Sequence, residues 1–139
     1  MTFFDTNAIL DILDRKRDNH QKAVMLLAAA QKGAIKIAVS TQSIVDAAYV
    51  ITQVNKVPAQ EFRRAMTYLC DIINICPVLR FNIEDANDSS ISDYEDAVQL
   101  SCATCDDCDC IVTRDKKFKS FTTIPTYTVE EYYRAVFED

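Results

Sequence analysis

Hydrophobic positions along this chain follow two rhythms, and the switch from one to the other recurs. Thr2-Phe3-Phe4 is strand-like, and after Asp5 the residues at 8–13 take up a helical pattern. A second helix is expected over 19–31, with Ala23, Leu26, Leu27 and Ala30 on one face and Gly33 as its stop. Ile35, Ile37 and Val39 alternate as a short strand. Ser40 or Thr41 then caps a helix to about residue 54, with Val45, Ala48, Tyr49 and Thr52 as its buried stripe. Pro58 suits the first turn of a helix to about residue 74 through Phe62, Ala65, Met66 and Leu69. Residues 75–81 stay ambiguous, because Pro77 fits only an edge strand.

The C-terminal part is more sharply punctuated. Ser92 with Glu95 forms a capping box, so a helix starts there with Asp93 and Asp96 in its first turn. Residues 110–113 form a strand and 125–127 a further short one. Thr128 with Glu131 repeats the capping box before a last helix. Strands separated by helices predict an α/β fold: a mainly parallel sheet of four to five strands with helices on both faces.

Length and composition fit one domain over residues 1–139, with 49% hydrophobic residues to fill a core. No apolar run approaches the length of a membrane span, and no basic and apolar leader opens the chain. A soluble, cytoplasmic protein without membrane contact is the expectation. The six cysteines then belong to a reducing compartment as free thiols. Cys102, Cys105, Cys108 and Cys110 have a spacing that soft metals accept. They also fit a helix leading into a strand, as small apolar fillers, which is the preferred reading.

A net charge of −6 excludes nucleic-acid binding through bulk positive charge. It leaves open a nucleic-acid enzyme whose acids hold a cation, since the metal inverts the local field. In a parallel sheet Asp5 and Asp115 share one crevice, with Asp96 and Asp46 brought by the helices beside them. Carboxylates so placed repel by up to several kcal/mol at an effective dielectric of about 20, and oxygen-only ligands select Mg2+ or Mn2+ over zinc. Two basic clusters, Arg15-Lys16-Arg17 and the run with Arg114, Lys116, Lys117 and Lys119, follow motif acids. They fit either the rim of such a site or plain solvated loops. His20 is expected at the surface, and Asp11, Asp14, Asp106 and Asp107 as solvated acids.

Phe4-Asp5-Thr6-Asn7, the stretch with Asp46, Asp93-Tyr94-Glu95-Asp96-Ala97-Val98-Gln99 and Ile111-Val112-Thr113-Arg114-Asp115 resemble, in order, the motifs of PIN-domain ribonucleases. The resemblance extends to the small toxins of VapC-type toxin–antitoxin pairs. It implies a three-layer α/β/α fold and a catalytic set of Asp5, Asp46, Asp96 and Asp115. Asp5, Asp96 and Asp115 would hold Mg2+ or Mn2+. Asn7, Thr113 and Asp93 would stand behind them, Asn7 steadying Asp5, while Arg114 and Lys116 meet RNA at the rim. Asp46 stands where many members carry glutamate and reaches less far. The implied partners are RNA, a cognate antitoxin and a second copy of the chain. A haloacid-dehalogenase-like phosphatase also begins with a strand ending in aspartate, but Asn7 stands where its second acid belongs. A non-catalytic RNA- or protein-binding module is the remaining alternative.

Overall fold

Strand pairing decides where every motif goes. In the computed structural model, which describes residues 1–138, five strands form one sheet: β1 (Thr2–Phe4), β2 (Ile37–Ser40), β3 (Asn74–Cys76), β4 (Cys110–Val112) and β5 (Thr126–Tyr127). Their order is β3-β2-β1-β4-β5 and every pair is parallel. Phe3 lies in register with Ala38 and Ile111, and Phe4 with Val39 and Val112. Side chains alternate across a strand, so these two rows face opposite layers. Phe4, Val39 and Val112 enter one apolar cluster with Ile9, Leu26 and Phe62. Phe3, Ala38 and Ile111 enter the other with Val98, Cys102 and Phe118. The fold is the three-layer α/β/α arrangement expected.

Seven α-helices cover the sheet: α1 (Thr6–Leu13), α2 (His20–Gln31), α3 (Thr41–Tyr49), α4 (Ala59–Cys70), α5 (Arg80–Asp88), α6 (Tyr94–Cys105) and α7 (Val129–Phe137). None is long and apolar enough to cross a membrane. Gly33 stops α2 at φ +82°, a conformation that costs glycine little. The Thr128–Glu131 capping box forms, with bonds of 3.1 and 2.9 Å. Asn74–Cys76 resolves the ambiguous segment as an edge strand ending just before Pro77.

Three local expectations give way. The cap of α6 is Asp93, whose carboxylate accepts from the Asp96 amide at 3.0 Å, so Ser92 and Glu95 form no box. Helix α5 was not anticipated. Its apolar Phe81 is exposed and its polar Asn82 buried, because Asn82 bonds the Leu79 amide at 2.9 Å and Ser101 Oγ at 3.0 Å. In α3, which runs on as a π-helical segment over Val50–Val54, the buried stripe is Ser43, Ala47 and Ile51. Val45 and Tyr49 are exposed instead. The rotation follows from Ser43, which is fully buried and bonds Thr6 Oγ1 at 2.9 Å and Gln99 Nε2 at 2.6 Å.

That rotation is measurable by urea denaturation. Ile51→Ala is expected to cost about 2–5 kcal/mol of stability, and Val45→Ala less than about 0.5 kcal/mol. Equal losses would mean that the Val45 face packs inward.

Candidate functional site

The strand order reverses at β1, which sends the chain to β2 on one side and meets β4 on the other. Such a switch point opens a crevice beyond the strand ends. Asp5 leaves β1 at that point, its amide bonded to Val112 O at 3.1 Å. Its carboxylate caps α1, with Oδ1 accepting from the Ala8 amide at 2.9 Å and Oδ2 from Thr113 Oγ1 at 2.6 Å. Burial pushes the Asp5 pKa upward, and the Thr113 and Ala8 bonds oppose that shift without cancelling it. The charges of Asp11 and Glu95 raise it further.

Thr113 links two of the predicted acids. Its hydroxyl donates to Asp5 and accepts from the Asp115 amide at 3.1 Å. Asp115 in turn caps a 3-10 turn, Lys116–Phe121, through the Lys117 amide at 2.9 Å. The first turn of α6 supplies the third acid. Burial, then the charges of Asp93 and Asp115 and a hydrogen bond with Asp115, push Asp96 up to about 7. Asp115 and, one turn away, Asp93 thus crowd Asp96 with negative charge.

Glu95 and Asp46 stand differently from their motif positions. Glu95 Oε1 accepts from Thr6 Oγ1 at 3.2 Å, and its charge raises both Asp5 and Asp96. Asp46 is half-buried and bonds Gln42 of its own helix at 2.9 Å. A first-turn glutamate is explained by its helix dipole alone, so nothing local in the sequence singled out Glu95.

Asn7 does not bond Asp5. Its Oδ1 accepts from Arg17 Nη2 at 3.1 Å, and Arg17 Nε pairs with Asp11 at 2.7 Å. Asp11 is thus buried and paired rather than solvated. His20 is half-buried, with Nδ1 at 3.0 Å from the Asp11 carbonyl. The basic clusters also separate. Lys116 and Lys119 line a cleft of about 460 Å³ with Thr113, Asp115 and Tyr127. Arg114 lines a smaller one with Asn7. Arg15 and Lys16 line a different groove at the far end of α1, with Ile51 and Phe62.

Oxygen donors alone, crowded enough to hold Asp96 near neutrality, match a hard divalent cation. Among the described residues no three His, Cys, Asp or Glu side chains already stand in a ligating arrangement. Asp5, Asp93 and Asp115 each spend one oxygen on a backbone amide. Cys102 and Cys108 pack in the core, and burial raises each thiol to about 11, which keeps them protonated.

The Asp96 shift predicts a pH dependence. Its folded pKa, about 7, exceeds the ordinary 3.8. The associated stability is therefore full in acid and is lost as pH rises through neutrality. In chelator, the Tm advantage of Asp96→Asn over the unmodified chain should grow between about pH 4 and about pH 8. An advantage that stays constant would mean that Asp96 titrates normally.

Comparison with known proteins follows the same lines. A family model described as the PIN domain matches residues 2–117. Ribonuclease VapC1 of Aquifex aeolicus (strain VF5) is 28% identical over 138 residues, spanning 94% of this chain and 91% of that protein. Among solved structures, Mycobacterium tuberculosis VapC20, a sarcin-ricin-loop-cleaving toxin, superposes with TM-score 0.68 at 15% identity, over 90% of this chain and 99% of that one. VapBC2 from Rickettsia felis, bound to a DNA fragment from their promoter, gives 0.66 at 16% identity, over 91% and 97%.

Proposed function

The chain belongs to the PIN domain family, and from that premise we propose that it is a Mg2+- or Mn2+-dependent endoribonuclease, the toxin of a toxin–antitoxin pair. The observation that carries this reading is the crowding of Asp96 by Asp115, which Thr113 ties to the half-buried Asp5. The similarity to a curated ribonuclease along nearly the whole chain supports the reaction. The toxin relatives support an antitoxin as partner. We assign the cytoplasm as its place of action and a homodimer as its assembly, with exposed apolar side chains such as Val45, Tyr49 and Phe81 available for protein contact.

Asp5, Asp96 and Asp115 would hold the ion, with Glu95 close enough through Thr6 to join them and Asp46 engaged by Gln42 of its own helix. Bound there, a divalent cation supplies a lowered water pKa and neutralises charge on the phosphodiester. The chain's own groups do the rest. Thr113 and the Ala8 amide fix the Asp5 carboxylate, and the helix cap keeps it oriented. Asp96, whose pKa is raised to about 7 while no cation offsets Asp93 and Asp115, must give up its proton to ligate one. Lys116 and Arg114 offer the RNA backbone positive charge at the two clefts that flank the acids. The phosphatase alternative lacks its acid, since Asn7 has no proton to give a leaving group.

Incubating the purified chain, free of antitoxin, with total RNA and manganese should give defined new ends. Asp5→Asn and Asp96→Asn should each lower the rate at least about a hundredfold. Glu95→Gln should cost about ten- to a hundredfold, and more than Asp46→Asn. RNA left intact with either ion would refute the proposal. A larger loss from Asp46→Asn than from Glu95→Gln would restore Asp46 as the fourth acid.

A further inference from the structure

Arg17 lies in the turn after α1 and folds back along that helix. Its guanidinium makes two bonds at once, Nε to Asp11 and Nη2 to Asn7. Asn7 and Asp11 are four residues apart on α1, so one planar fork spans one helical turn. Asp11 is 3% exposed, and a carboxylate so buried is costly without its partner. That pairing fixes the guanidinium in place.

The consequence falls on Asn7. Arginine only donates, so the carboxamide must turn its oxygen toward Arg17 and its N–H pair away. Among the described residues no acceptor takes those N–H groups. Asn7 lines a cleft of about 170 Å³ with Asp11, Asn19, Arg114 and Glu130. The acids there are already neutralised, Asp11 by Arg17 and Glu130 by Lys22 at 3.3 Å and Arg134 at 3.0 Å. Arg114 makes no ion pair among the described residues, so it is the charge left to face a ligand. In an acidic chain this cleft keeps an uncompensated positive charge, on the residue that precedes Asp115 and across from Asn7, two positions after Asp5.

We propose that Arg17 is a positioning residue. Clamped by Asp11, it holds the Asn7 carboxamide so that its N–H groups, with Arg114, bind a phosphate of the RNA strand next to the cleavage site. The inference rests on the nuclease reading and deepens it. It also gives Asn7 a task different from steadying Asp5.

The test compares the unmodified chain with Asn7→Ala, Arg17→Lys and the double variant, by steady-state RNA cleavage with manganese. Lysine keeps the charge beside Asp11 but cannot fork to Asn7. Each single change should raise KM for RNA about tenfold with a smaller change in kcat, and the double variant should lose no more than either single. NMR of the metal-free protein should show the Asn7 side-chain amide signals displaced in Arg17→Lys. Asn7→Asp serves if Arg17→Lys folds poorly: it keeps an oxygen for Arg17, removes the donors, and should weaken RNA binding as Asn7→Ala does. Additive losses, unmoved amide signals, or normal RNA affinity in Asn7→Asp overturn the inference and leave the nuclease standing. An unmodified chain that neither cuts nor binds RNA brings down both.

Discussion

One carboxylate that the fold half-buries, Asp5, constrains the rest of the candidate site. A charge at the end of a central strand, partly withdrawn from water, raises the energy of the native state unless donors surround it. The chain answers with the start of α1 on one side and the Thr113 hydroxyl on the other. That second bond requires β4 beside β1 in its observed register, since Phe4 must oppose Val112 for Thr113 to reach Asp5. The same continuation of β4 carries Asp115 toward Asp96, and α6 comes in by its acidic first turn. Repulsion among these groups is what the proposed cation would relieve.

Much of this was legible in local patterns because local bonds enforce it. The Thr128–Glu131 box, the Gly33 stop and the apolar strands β1 and β2 are decided within a few residues, and they appear close to where the sequence placed them, β2 starting at Ile37 rather than Ile35. What escaped depends on partners far along the chain. Ser43 turns α3 because Thr6 and Gln99, 37 and 56 residues away, need its hydroxyl. Helix α5 forms with little apolar rhythm because Asn82 reaches Ser101. Asp11 looked like a surface acid because its spacing to Arg17 crosses a turn that periodicity does not describe.

The candidate site shows the same division. Asp5, Asp96, Asp115 and Thr113 sit at element junctions, and junction chemistry is visible in sequence. The bonds of Glu95 and Arg17 depend on side-chain directions, which it does not encode. The overall charge of −6 is also less informative than its pairing. At the Asn7 cleft the acids are spoken for and Arg114 is not, so an acidic protein can still present a positive face to a polyanion.

The central claim is that these carboxylates converge on one divalent ion. The most direct measurement is site-resolved broadening of backbone amide NMR signals by substoichiometric Mn2+. The account predicts loss of signal confined to residues around Asp5, 93–96 and 113–115. Broadening centred elsewhere, such as the acidic loop at 106–109, or none at all, would contradict it.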